Sequence, residues 1–469
     1  MPHSRKKFFA LLGVFSLLSM FGLLPGCDMG GGGGGGGGGN KGGAAVALLV
    51  NIGDASVDRV VELDMTITQV TLTSASNATV LLLSAPAKAE FRHEAGSLQP
   101  LAMTTLAADT YTQATITLGT TAHATVLDNS GVPRPSQTVT LGTTTFTVPL
   151  GSVVVGTTTP MVLNVDFNMS SSVSVDPSFN VTINPSFKGA LNAFAASAPQ
   201  VETGKIEDVD GTITAITSPN FTMAVEQASG SLLLVTNSST QFVGIGGLSG
   251  LAVSNVVEVT GAMQSNGVLL ATKVEALDLT TGGLEVNGMV TAITGAPATS
   301  VQLIPQNAAS PTLSSPVLGG PFTVNGMGTA AYGEDTDEVD FTGLTLPAFT
   351  ATTLTKGQQI RVTTSTPSST VITTGHVTLQ QQAVTGQVLS SSGGGQGTVG
   401  TIVLNLPSDS YLTLLTGETQ ITVFQQANTQ FVGITAVSAG ATIRARGLLV
   451  FNSGATPHWQ MVASRLTSP

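Results

Sequence analysis

The chain has 469 residues, of which 41% are hydrophobic and only 9% charged, with a formal net charge of −11. Thr, Ser, Gly, Val and Ala dominate, the vocabulary of strands and tight turns, and the length is enough for several domains. The 16 Lys and Arg against 27 Asp and Glu leave no clustered cations for a phosphate backbone, so the sequence excludes nucleic acid as a partner; its single cysteine excludes an intramolecular disulfide.

Residues 1–27 have the three parts of an export signal: basic Arg5, Lys6 and Lys7, an apolar run from Phe8 to Leu24, and small residues before a cut. The run is also long enough to span a bilayer, which makes an uncleaved anchor the rival reading. Leu24-Pro25-Gly26-Cys27 resembles a bacterial lipoprotein signal, with Pro25 where a small Ala, Ser or Thr is usual. That resemblance implies cleavage between Gly26 and Cys27 and acylation of Cys27, and hence a protein anchored by lipid in a bacterial cell envelope, facing the periplasm or the exterior. Loss of the three signal cations leaves 13 Lys and Arg against 27 acids and takes the net charge to −14. Residues 28–44, with ten consecutive glycines from Gly30 to Gly39, read as a flexible leash, with an r.m.s. reach of roughly 20 to 24 Å.

An all-β domain is expected over 45–190. Ala44–Val50 is a continuous apolar run, and from Val61 the pattern alternates, with Leu63, Met65 and Ile67 on one face. The step from Ile67 to Val70 breaks the period of two, which predicts a β-bulge near Thr68 and Gln69. Further strands are predicted at Thr110–Leu118, Thr143–Val148, Met161–Phe167 and Phe179–Ile183. The stretches Leu106–Gln113, Leu163–Phe167 and Phe179–Pro185 resemble domain family 4382, an uncharacterised bacterial lipoprotein domain. The resemblance implies a β-sandwich displayed outside the cytoplasm and supplies no activity.

After an Ala- and Ser-rich linker at 191–204, repeats begin. Thr240-Gln241-Phe242-Val243-Gly244-Ile245 recurs letter for letter at 429–434, with a weaker copy at Asp340-Phe341-Thr342-Gly343. Units also open alike, at Val209–Ile213, Val286–Val290 and Val384–Val388. These periods predict three small barrel-like β modules at 205–279, 283–381 and 382–469, the second carrying an insertion around Ala308 to Glu338. In the first unit, Gly211-Thr212-Ile213, Thr240-Gln241-Phe242, Val257-Glu258-Val259 and Ala271-Thr272-Lys273-Val274 resemble the order of uncharacterised domain family 5666. That family is similar to oligonucleotide/oligosaccharide-binding barrels in shape, which does not fix function.

Chemistry is sparse. Gly326–Ala331 matches the dinucleotide pattern as letters but has no βαβ context and is expected to be a turn. The densest acidic cluster includes Asp335, Asp337 and Asp340, a candidate Ca²⁺ set that lacks the loop spacing of a calcium motif and reads first as a solvated loop. His93, His123, His376 and His458 are isolated, no Gly-x-Ser-x-Gly elbow occurs, and no metal, cofactor or catalysis is expected. Trp459, beside His458, is the one candidate platform for stacking a sugar. The expectation is a non-enzymatic envelope protein with a structural, adhesive or interaction role, the alternative being a carbohydrate-binding lipoprotein. Its expected partners are the membrane through the N-terminal lipid and envelope proteins or glycans.

Overall fold

A computed structural model describes residues 45–468, apart from stretches at 55–58, 84, 93–97, 196–203, 226–229, 278–283, 310–320 and 365–370. The signal, Cys27 and the glycine run therefore lie outside the described residues, as does His93. Among the described residues strands are the dominant regular structure, helices are a few residues each, and no helix is long and apolar enough to cross a membrane.

The first domain is two sheets face to face. Strands β1 (Ala45–Asp54), β5 (Leu98–Ala107), β9 (Met161–Phe167) and β12 (Phe187–Ala193) form one sheet, in which β1 and β9 run parallel. The other is built on β2 (Val60–Ser74) and β6 (Asp109–Val126), flanked by the short β3 (Thr79–Leu81), β4 (Ala87–Glu90) and β7 (Gln137–Thr140) and by β8 (Thr145–Val155), while β10 (Val173–Val175) and β11 (Val181–Ile183) form a separate antiparallel pair. The β2–β6 register shifts between Ile67 and Gln69, where a bulge was expected. The slip returns Val70 and Leu72 to the face already occupied by Leu63, Met65 and Ile67, and all five are buried in the core between the sheets.

Three barrel units follow with one wiring. The first contains β13 (Lys205–Thr217), β14 (Asn220–Val225), β15 (Ser231–Val235), β16 (Gln241–Val243), β17 (Val256–Met263) and β18 (Leu269–Ala276). β13 pairs antiparallel with β14 and β17, β14 with β15 and β17 with β18, and parallel pairing of β15 and β16 with β18 closes the circuit. The second follows the same order with β19 (Leu284–Thr294), β20 (Ser300–Ala309), β21 (Phe322–Asn325), β22 (Ala331–Glu334), β23 (Gln359–Thr364), β24 (Val371–Thr373) and β25 (His376–Leu379), except that its last strand is split, β21 pairing parallel with β24 and β22 with β25, so that its seven strands form an open row among the described residues. In the third, β26 (Gln381–Ser391), β27 (Gly400–Asn405), β28 (Gln420–Val432), β29 (Thr442–Phe451) and β30 (Trp459–Thr467) form a closed barrel. This is the strand circuit of an oligonucleotide/oligosaccharide-binding barrel.

The repeated letters have structural jobs. Gly211, Gly288 and Gly386 lie where the first strand of each unit crosses the second so closely that a Cβ would sit 2.6, 2.3 and 2.8 Å from the carbonyl oxygens of Ala224, Ile304 and Asn405. Only glycine permits that approach. Thr240 and Thr429 each donate a hydroxyl hydrogen bond of 2.7 Å to the last strand, at Ala271 O and Ala463 O. Phe242 and Phe431 follow, paired with Val274 and Leu466. In the second unit this place belongs to Tyr332, paired with Val377 in β25. The expected middle copy, Asp340-Phe341-Thr342-Gly343, lies beyond it in a loop, because the parallel strand forms earlier in the insertion.

The units are not beads on a string. Leu49, Val162 and Phe194 of the sandwich enter the core of the first barrel, Val61, Leu127, Met289 and Ile304 enter that of the third, and Leu448 and Val450 of the third enter that of the second. Gln306 of β20 donates to the Val61 carbonyl at 2.8 Å, and Gln358 to that of Leu449 at 3.0 Å, both buried.

Candidate functional site

The polar counterpart of these shared cores lies where the first and second barrels meet. The β13–β17 register shifts between Ile206 and Val209, and Asp208 within that bulge has a left-handed φ of 49°. A bulge re-aims the side chains it carries, and here Glu207 and Asp208 turn toward neighbouring units. Glu207 pairs with Arg465 of the third barrel, and Thr260 donates to Asp208 Oδ1 at 3.3 Å. Past the end of β22, the Asp335 N–H bonds to the Leu379 carbonyl at 2.9 Å, and Asp335 Oδ1 accepts from the Asp337 N–H at 3.2 Å. One carboxylate oxygen from each of Asp208, Asp335 and Asp337 lies within 4.8 Å of the others.

Two cations hold the surrounding acids. Lys273 of β18 lies 3.0 Å from Asp337 Oδ2, 2.9 Å from Glu275 and 3.7 Å from Glu258. Arg361 of β23 pairs tightly with Glu258 and lies 3.9 Å from Glu275 and 3.8 Å from Glu285. Four carboxyls, those of Glu258, Glu275, Glu285 and Asp337, thus share Lys273 and Arg361. Burial, reinforced by Glu258 and Asp337 and partly offset by Arg361, pushes Asp335 up to about 7. Burial and then the charges of Asp335, Glu258, Asp337 and Glu207 hold Asp208 well above the usual carboxylate range. Glu285 is likewise pushed up to about 7, by burial against the pull of Arg361. Burial works against charge on Lys273 and Arg361, yet the carboxylates around them raise both.

Asp335 and Asp337 of the sequence-predicted acidic set therefore come together, and Asp340 does not join them. Its Oδ1 caps the Thr342 N–H at 2.8 Å in the following turn, and those bonds hold its carboxyl below the usual range. The expectation of a solvated loop needs correcting at Asp335, which is only 8% exposed. Sequence reasoning missed Asp208, whose signal was the crowding of Lys205, Glu207, Asp208 and Asp210 onto one strand of a charge-poor chain.

Trp459 is fully buried, its ring packed edge-on to Phe451 at 5.5 Å. It cannot be the stacking platform expected of it, since a sugar needs an open ring face. As the first residue of β30 it shares the inward face with Met461 and Ala463, while His458 stays at the surface with Nδ1 2.6 Å from Glu418 Oε1. Gly326–Ala331 is a turn, closed by the Thr329 and Ala330 N–H groups on the Gly326 carbonyl. Among the described residues, the three aspartates are the one group of His, Cys, Asp or Glu placed to hold a metal ion.

A family described as a domain of unknown function (DUF5666) matches residues 210–275, almost the whole of the first barrel. No curated protein matches the chain. Among solved structures, the chain is similar to "drosophila Unr CSD456" at 9% identity, covering 55% of this chain and 95% of that one with a TM-score of 0.13. It is also similar to a multidomain protein with nucleic acid binding domains from Streptococcus pneumoniae TIGR4, at 11% identity, 56% and 73% coverage and a TM-score of 0.12. The partners expected from the sequence are corrected here. Neither neighbour is named as a membrane, envelope or glycan-binding protein, and one is named as having nucleic acid binding domains, against the expectation of envelope partners and no nucleic acid. Superposition this slight carries no argument for what this chain binds.

Proposed function

We propose that the protein is an exported structural component of a bacterial cell envelope, lipid-anchored at Cys27 and without catalysis. The observation that carries the reading is fusion of the modules. β13 and β15 of the first barrel pack on β5 of the sandwich, β20 of the second packs on β2, and a buried ion pair joins the first barrel to the second and a half-buried one joins it to the third. A chain of hinged binding modules needs free faces and mobile joints; this body spends its faces on one another, as a rigid part does. The location rests on Leu24-Pro25-Gly26-Cys27 and on the glycine leash. The resemblance of residues 45–190 to a lipoprotein domain family supports the same setting.

Intact mass analysis of protein taken from its native host tests this. The expected mature chain begins at Cys27 and carries fatty acyl groups, and Cys27→Ser moves it out of the membrane fraction. Retention of residues 1–26, or a free thiol at Cys27, would overturn the anchor. Substrate turnover by the purified protein would overturn the structural role.

A further inference from the structure

We propose that Asp208, Asp335 and Asp337 bind one Ca²⁺ ion that ties the first barrel to the second. The three carboxylate oxygens, all within 4.8 Å of one another, fit inside a single calcium coordination sphere, whose diameter is about 4.6 to 5.2 Å. A magnesium sphere is smaller, about 4.0 to 4.2 Å across, and demands a stricter octahedral geometry than calcium does.

A second observation points to a missing partner. Asp335 is 92% buried by the complement of its 8% exposure, and its Oδ2 has no hydrogen-bond donor. A buried carboxylate oxygen without a donor is costly and is found where a cation or proton completes it. The surrounding charge leaves that role open, because Lys273 is already divided among Glu258, Glu275 and Asp337, and Arg361 among Glu258, Glu275 and Glu285. Asp337 would share its oxygens between Lys273 and the ion, and water would supply the remaining ligands. One ligand comes from β13 and two from the insertion after β22, so the ion would act as a clasp between modules.

Full-length protein stripped with chelator is titrated with Ca²⁺ and with Mg²⁺ by calorimetry and followed by thermal melting. One Ca²⁺ per chain is expected, with Mg²⁺ weaker and the melting temperature rising on Ca²⁺ addition. Asp208→Asn and Asp335→Asn should each weaken Ca²⁺ binding at least about tenfold, since affinity follows ligand charge. In chelator they should melt no lower than the parent, because each relieves repulsion. Asp340→Asn should bind as the parent does. No saturable Ca²⁺ binding would mean that the aspartates share protons instead and would overturn the proposal. So would undiminished binding in Asp208→Asn and Asp335→Asn, equal affinity for Mg²⁺, or an equal loss in Asp340→Asn.

Discussion

Glu62 is fully buried in β2, where Thr125 donates a 2.5 Å hydrogen bond to its Oε2 while Oε1 has no donor. The nearby Lys88 is engaged with Asp64 at 2.7 Å. Burial, opposed by the Thr125 hydrogen bond and reinforced by Asp64, pushes Glu62 from 4.5 up to about 7. Between these values the native state keeps a proton that the unfolded chain releases, so this carboxyl's contribution to stability is full below pH 4.5 and is lost as pH rises through about 7. At about 1.4 kcal/mol per pH unit, the loss by pH 8 approaches about 3 kcal/mol. Glu62→Gln keeps an acceptor for Thr125 and carries no charge. The variant should therefore match the parent at pH 4 and exceed it by up to about 3 kcal/mol at pH 8. Urea denaturation of the full chain at pH 4, 6 and 8, followed by circular dichroism, measures this. A gap between variant and parent that does not change with pH, or that widens toward acid, would refute the reasoning.

Removing the guanidinium at the junction should be far more damaging than its surface counterparts. Arg361→Met leaves Glu285 buried without its cation and Glu258 with only Lys273, at 3.7 Å, and is expected to cost about 3 to 5 kcal/mol, with part recovered on adding Glu258→Gln; thermal melting reads both. At Gly288 a Cβ would lie 2.3 Å from the Ile304 carbonyl oxygen, so Gly288→Ala must prise β19 from β20. It should lower stability by more than about 2 kcal/mol. Gly142→Ala, with nothing within 4 Å of the new carbon, should stay within about 0.5 kcal/mol in the same assay.

Some of this architecture was legible because strand patterning is local. Alternation from Leu63 to Ile67 and its break before Val70 specify which side chains face inward and where the ladder slips, and the register of β2 against β6 follows. The repeated Thr-Gln-Phe-Val-Gly marks a strand whose threonine and phenylalanine serve the same barrel closure twice. The second unit was misplaced by a few residues because Tyr332 fills the aromatic position that Phe341 resembles more closely in sequence.

The ring of Trp459 and the carboxyl of Asp335 show the opposite case. By composition both looked like surface groups, and both are buried because neighbouring elements cover them, Phe451 on the tryptophan and the first barrel on the aspartate. By itself the sequence determined the all-β class, the bulge and the repeat, since each depends on side-chain periodicity within one or two strands. The joining of Asp208 to Asp335 and Asp337, the sharing of cores among domains and the trapping of Glu258 beside Arg361 were decided by tertiary packing alone. They depend on which faces of separate barrels meet, and that is governed by surface fit between distant segments for which no local period exists.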